Sequence, residues 1–234
     1  MLMDGILLVD KPKGWTSFDV VAKVRGIIKI ELRNENPSLK NVKVGHTGTL
    51  DPAATGLLVL CIGKYTKKVP DMIRHDKTYE VEMTLGATST TGDQEGEITR
   101  SGEEKVVSSK ELEGVLSTFA GEQMQTPPSF SAIRINGQRA YDLARAGKEV
   151  KLEPRKCTIH SLELTSYDFP VAKFTCSVSS GTYIRSLVND IGQKLGTGAY
   201  MSELKRIKVA QYDLTNALGM AELDIKLIHT HLMA

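Results

Sequence analysis

Gly45-His46-Thr47-Gly48-Thr49-Leu50-Asp51-Pro52-Ala53-Ala54-Thr55-Gly56 runs straight into the apolar stretch Leu57–Ile62. Three glycines and a proline within twelve residues make a loop that lets backbone approach a ligand closely and fixes side chains on a sharp turn. The loop carries one carboxylate, Asp51, and one imidazole, His46, and hands over at once to a core strand. Conformationally demanding loops held on rigid elements are where sites are usually built. On these residues alone a plainer alternative stays open: Asp51 starts an Asp-Pro turn or caps a helix, and His46 is a surface histidine.

Working outward, Gly5–Asp10 reads as a buried strand, and Lys11–Trp15 as a Pro/Gly turn. Thr16 or Ser17 then caps a helix with the stripe Val20, Val21, Val24, Ile27 and Ile28. Leu32–Asn41 is polar, contains Pro37 and reads as a loop. Tyr79, Val81, Met83 and Leu85 alternate with polar residues as in a half-buried strand, and Ala87–Gly102 reads as a loop. Ser108 or Ser109 opens a helix to about Phe119, Ser131–Ile135 reads as a strand, and Asn136-Gly137 is a turn signal. Arg139–Ala146 forms a short helix closed by Gly147. Strands follow at about Cys157–Tyr167 and Ala172–Val178, then a helix over Thr182–Leu195 and a last strand at Val209–Leu214. Strands and helices mix without a regular βαβ repeat. The expected class is α+β, a mainly antiparallel mixed sheet flanked by helices and loops, in a single domain over residues 1–234.

A second stretch, Ser179-Ser180-Gly181-Thr182-Tyr183-Ile184-Arg185, ends a strand, turns at glycine and starts a helix. Helix N-termini expose backbone N–H groups, and Arg185 adds a fixed positive charge suited to a carboxylate or a phosphate; an exposed helix arginine fits the spacing equally well. Tyr79 by itself reads as core or sheet surface. The run Lys64-Tyr65-Thr66-Lys67-Lys68 suits nucleic acid or plain solvent exposure. Trp15 after its turn reads as a core plug.

The net charge is only +2, but it is unevenly spread. Asp93–Glu113 holds seven acids against three bases, and Arg134–Lys156 seven bases against three acids. A nearly neutral chain of this kind can present a one-sided basic surface to a polyanion, or the two runs are simply solvated faces. The three cysteines, Cys61, Cys157 and Cys176, fit no disulfide or metal spacing and point to a reducing compartment. No apolar run approaches the ~20 residues of a transmembrane helix, and the N-terminal apolar run ends too soon for a signal peptide. The expectation is a soluble cytoplasmic protein with no membrane partner.

Four blocks together resemble the TruB family of pseudouridine synthases. They are Lys11-Pro12 to Thr16-Ser17; Gly45-His46 through Leu50-Asp51-Pro52 to Gly56; Pro127-Pro128 to Arg145, with Ser131-Ala132, Gly137 and Arg139-Ala140-Tyr141; and Gly181-Thr182-Tyr183-Ile184-Arg185. The resemblance spans nearly the whole chain, with Phe130 and Arg134 where Tyr and Lys are usual. It implies isomerisation of a uridine to pseudouridine in the T loop of tRNA, at position 55, without metal or cofactor. It implies that Asp51 is the catalytic carboxylate, that Tyr79 stacks on the target base and helps move a proton, and that Arg185 pairs with the aspartate. His46 would fill space in the T loop when nucleotides flip out, Leu204 would line the uracil pocket, Tyr183 would contact substrate, and Lys11 and Pro12 would support the active-site loop. The segment around 124–153 would be an insertion gripping the T arm, with phosphate contacts from Arg139, Arg145 and Lys148. The chain stops soon after the catalytic core, without the small C-terminal RNA-binding domain of the PUA type, so recognition is expected to rest on the T arm, by a monomer with no protein partner.

The chemistry suits those residues. Pseudouridine formation loses no atoms, so a carboxylate that attacks and leaves, or assists elimination, suffices. A cation beside Asp51 favours its charged form, and the target base must leave the stack to be reached. The rival readings are a non-catalytic tRNA-folding protein on the same scaffold, a guide-dependent synthase of the dyskerin type, and a glycosidase. The last normally needs two cooperating acids.

Overall fold

The structure, a computed structural model, describes residues 3–35, 42–100, 105–135 and 137–234. In chain order the strands are β1 (Gly5–Lys11), β2 (Val44–His46), β3 (Thr55–Ile62), β4 (Lys77–Leu85), β5 (Ala87–Ser89), β6 (Ile98–Arg100) and β7 (Gly121–Gln125). They continue as β8 (Arg134–Ile135), β9 (Gln138–Arg139), β10 (Arg155–Asp168), β11 (Val171–Val178), β12 (Ala199–Val209), β13 (Tyr212–Asp213) and β14 (Leu218–Gly219). The helices are α1 (Ser17–Glu35), α2 (Val69–Met72), α3 (Ser109–Ser117), α4 (Ala140–Arg145), α5 (Ile184–Leu195) and α6 (Ile225–His231). The class is the expected α+β, with a mixed, mostly antiparallel sheet.

The chain divides into two compact units, Met1–Tyr79 with Lys205–Ala234, and Glu80–Leu204. In the first, the strand order is β14-β1-β3-β12, with β2 on β3 and β13 on β12. β1 and β3 pair antiparallel from Gly5↔Ile62 to Lys11↔Gly56, whereas β3 and β12 run parallel, with Lys205 opposite Thr55 and Arg206 opposite Gly56. Both faces of β1 and β3 are covered, which is why GILLVDK and TGLLVLCI read as continuous apolar runs rather than alternating ones. On one face Leu7, Val9, Leu58, Leu60 and Ile62 pack with Val20, Val24, Ile28 and Leu32 of α1 and with Ile228 of α6. On the other, Ile6, Leu8, Leu57 and Val59 pack with Met72 and Val209. Each such side chain contributes roughly 1.5–3 kcal/mol on burial.

In the second unit the order is β12-β4-β11-β10-β7, and a hairpin of β5 and β6 stands apart. β10 pairs antiparallel with both β11 and β7. β4 alternates as expected, with Val81, Met83 and Leu85 inward. Ser108 caps α3 by accepting from the Glu111 N–H at 3.2 Å.

Several expectations change. Helix α1 runs on to Glu35 because Leu32 continues the buried stripe, so the loop expected from Leu32 starts later; residues 36–41 lie outside the described residues. The loop expected over Ala87–Gly102 contains the β5–β6 hairpin, and its last two residues lie outside the described residues. The strand expected over Ser131–Ile135 shrinks to Arg134–Ile135, and Asn136 of the turn signal is likewise outside them. The helix expected from Thr182 starts at Ile184. In place of a single strand over Val209–Leu214, the chain forms the long β12, a turn at Ala210 with positive φ, and the short β13. The acidic run is not uniformly solvated, because Asp93 is buried.

Gly56 is required by the close β3–β12 approach. Its φ is +97°, and a Cβ there would sit 2.3 Å from the Arg206 carbonyl oxygen. Gly56→Ala is therefore expected to cost about 3 kcal/mol in denaturant unfolding. Gly26, inside α1 with open space around it, is the contrast: Gly26→Ala is expected to raise stability by about 0.5–1 kcal/mol.

Candidate active site

In the first unit, buried cations hold the loop that carries Asp51. Lys11 is fully buried at the end of β1, and its ammonium donates to the carbonyls of Trp15 (2.7 Å), Pro12 (3.1 Å) and Pro52 (3.3 Å). The Gly14 N–H also donates to the Pro52 carbonyl, at 2.8 Å. One residue before Asp51, Leu50 is tied to Ser17 at the start of α1. The Leu50 N–H donates to Ser17 Oγ (2.8 Å), which in turn donates to the Leu50 carbonyl (3.1 Å). The Asp51 carbonyl accepts from the Ala54 N–H at 3.0 Å, closing a tight turn. Asp51 itself is half-buried.

The second cation is Arg206, on β12 and 2 % exposed. Its guanidinium donates to the carbonyls of Leu57 (2.8 Å), Gly48 (3.0 Å) and Thr49 (3.5 Å). These carbonyls belong to an irregular loop and its exit strand, and a planar fork of donors can serve all three at once. The third is Lys77, at the buried start of β4, which donates to the carbonyls of Ile73 (2.9 Å) and His75. A Cβ on Gly48 would sit 3.4 Å from both Lys77 Cε and Arg206 Nη1, so the loop backbone lies directly against both cations.

His46 closes β2, opposite Leu60. Its Nδ1 accepts from the Gly48 N–H at 3.3 Å, so the neutral ring carries its proton on Nε2. Burial, and then the Arg206 charge, push its pKa below the usual imidazole value. Tyr79 is buried on β4, two residues beyond Lys77 on the same face.

In the second unit, Arg185 sits in the first turn of α5 and is 8 % exposed. Its guanidinium donates to the carbonyls of Phe130 (2.9 Å) and Thr91 (3.0 Å), and lies 3.5 Å from Asp93 Oδ2. Asp93 also accepts from the Glu95 N–H (3.0 Å) and the Thr91 hydroxyl. Tyr183, just before α5, is held by a reciprocal pair: its N–H donates to Gln125 Oε1 (2.8 Å), and Gln125 Nε2 donates to its carbonyl (3.0 Å). Leu204 is half-buried on β12, two residues before Arg206. Arg139 and Arg145 are exposed and flank the Tyr141 ring, at 5.6 and 5.7 Å, and Arg139 also donates to the Tyr141 hydroxyl at 2.8 Å. Lys148 is exposed just beyond α4.

Lys11, His46 and Asp51 thus share one framework in the first unit, and Tyr183 and Arg185 another in the second. Sequence reasoning missed Lys77, Asp93, Gln125 and Arg206. Lys77 carried a signal, since the Tyr79–Leu85 alternation extended backward puts it on the core face. Asp93 was hidden in an acidic run, Gln125 had no signal, and Arg206, next to Lys205, carries no sequence mark that separates a buried cation from a solvated one. Among the described residues no cluster of three or more His, Cys, Asp or Glu could hold a metal ion, and no helix is long and apolar enough to cross a membrane.

Residues 36–184 match the model of the TruB family pseudouridylate synthase N-terminal domain, and residues 185–231 that of the tRNA pseudouridylate synthase B C-terminal domain. The chain is 46% identical over 222 residues to tRNA pseudouridine synthase B of Aquifex aeolicus, covering 94% of this chain and 73% of that protein. It is 43% identical to the protein of the same name from Clostridium kluyveri, covering 95% of this chain and 73% of that one. Among solved structures it is similar to a chain in the crystal structure of a Cbf5-Nop10-Gar1 complex, with a TM-score of 0.70 and 29% identity. That match covers 94% of this chain and 53% of the other, so the chain spans about half that protein's length.

The buried Lys77 gives a pH test. Its pKa is pushed down to about 8, chiefly by burial and then by the Arg206 charge, against a pull upward from Asp76. The unfolded chain therefore holds this proton up to about pH 10.4 while the folded chain releases it near 8. The stabilising contribution is full above the unfolded value and is lost as pH falls through 8. Between about pH 8 and 10.4, stability relative to a Lys77→Met variant is expected to rise with pH. Parallel unfolding curves across that window would refute the shift.

Proposed function

The chain belongs to the TruB family of pseudouridylate synthases, and from that premise we propose that it isomerises a uridine of tRNA to pseudouridine, at position 55 in the T loop, with Asp51 as its catalytic carboxylate. The observation that carries this reading is the loop itself. Asp51 stands between Leu50, pinned by Ser17, and Pro52, pinned by Lys11 and Gly14, so its carboxylate is presented by a backbone fixed on both sides. The identities of 43–46% to proteins named tRNA pseudouridine synthase B support the substrate class.

The reaction breaks the bond between C1′ and N1, turns the uracil, and joins C1′ to C5. The proton on C5 is lost and N1 gains one, so the change is an isomerisation. The Asp51 carboxylate attacks, or assists elimination, as the glycosidic bond opens and is returned unchanged. Tyr79 offers a stacking face and a hydroxyl for the proton that leaves C5. Arg185 is held by carbonyls and by Asp93, and the resemblance to the family implies that its role is to pair with the catalytic carboxylate. The target base must leave the stack, which suits a neutral His46 as a filler of the vacated space and Leu204 and Tyr183 as pocket walls. Arg139 and Arg145 around Tyr141, with Lys148 beyond, form an exposed basic segment that grips T-arm phosphates. The three cysteines are buried, which suits a reducing compartment such as the cytoplasm.

The test uses an unmodified T-arm stem-loop carrying tritium at C5 of its uridines. Release is expected from the wild type, mapped to the T-loop uridine, and none from Asp51→Asn. Tight binding without release by either protein, on stem-loop and on full tRNA, would contradict the catalytic reading and favour a tRNA-folding role. Charge reversal of Arg139, Arg145 and Lys148 together is expected to flatten the salt dependence of RNA binding by about 2 in log–log slope, at roughly 0.7–0.9 per lost phosphate contact. An unchanged slope would remove the insertion from RNA recognition.

A further inference from the structure

The first unit contains a groove of about 620 Å³ that none of the roles above uses. Its rim carries Arg25 and Lys29 from α1 and Lys43 from the start of the segment leading to His46, and Thr66 adds a hydroxyl. Val44 and Val69 give it an apolar floor. The described residues lining it include three cations and no acid. Arg25 and Lys29 are four residues apart on one helix and so face the same way, where like charges repel. Three cations gathered around a concave surface focus positive potential there, and a bound anion relieves the repulsion. Gly45 lines the groove and immediately precedes His46, so the groove borders the start of the segment that carries Asp51.

We propose that this groove binds the phosphodiester backbone of the substrate RNA, as a second electrostatic grip separate from the 124–153 segment. The ligand class follows from the chemistry. Arg25 and Lys43 are exposed at the rim and Lys29 is half-buried, so long cationic side chains can follow a strand of phosphates, while the valine floor accepts the apolar face of a ribose. The proposal rests on the tRNA reading given above and adds a location and three residues to it.

The experiment measures binding of the unmodified T-arm stem-loop as a function of salt, and tritium release as a function of RNA concentration. Wild type is compared with a triple variant, Arg25→Gln, Lys29→Gln and Lys43→Gln, and with Lys110→Gln, an exposed lysine on α3, as control. The triple variant is expected to bind about 10-fold or more weakly near 0.1 M salt, with its log–log slope shallower by about 2. KM should rise while kcat stays at the wild-type value, and the control should match wild type. A triple variant with wild-type slope and KM overturns the proposal. Binding is read in an Asp51→Asn background as well, so failure of the isomerase reading leaves the slope comparison intact. If the wild type binds no RNA at any salt, the groove and the tRNA reading fall together.

Discussion

Cationic side chains donating to backbone carbonyls hold this protein's central loop in place. An irregular segment folded against a core cannot satisfy its carbonyls through a strand ladder, and a buried unpaired carbonyl is costly. Lys11 and Arg206 answer that need from opposite sides of the sequence. Lys11 takes Pro12, Trp15 and Pro52, and Arg206 takes Gly48, Thr49 and Leu57. Bonds from a charged donor are stronger and shorter than neutral ones. Removing either cation would strip a donor from several carbonyls at once, while Pro52 keeps a second one, the Gly14 N–H. The arrangement also explains Gly56, because β12 can deliver Arg206 to the loop only if β3 lets its backbone come that close.

The same constraint shapes the electrostatics. His46, Lys77 and the loop backbone all feel Arg206, and the pKa values of both His46 and Lys77 are lowered by burial first and by that charge second. Holding a reacting group in place before substrate arrives is among the larger sources of rate acceleration, because the ordering cost is met during folding. The net charge of +2 hides this, since many of the cations that matter are internal or concentrated on a few surfaces.

Much of the fold was legible in the sequence because its strongest signals are local. The doubly covered β1 and β3 show as unbroken apolar runs, β4 as a clean alternation, and α3 by its serine cap. The long β12 was not legible. Its sequence AYMSELKRIKV interleaves charged residues with apolar ones, and the residue that best defines its inner face is an arginine. A buried cation satisfied by carbonyls looks in sequence like any solvated charge. Within the candidate site, Asp51 and His46 announced themselves through their glycine-rich loop. Asp93 and Gln125 could not, because their roles depend on partners dozens of residues away, Arg185 and Tyr183.

The most direct measurement is the single-turnover rate of tritium release from the T-arm stem-loop by Lys11→Met, with RNA affinity measured on the same protein. Methionine keeps the stem of the side chain and removes the ammonium that holds Pro52 beside Asp51. If buried cations position the carboxylate, the rate falls by about 100-fold or more while the protein stays folded and RNA affinity stays within about 3-fold of wild type. A folded Lys11→Met protein that turns over at the wild-type rate would contradict the claim that the carbonyl clamp sets up the chemistry.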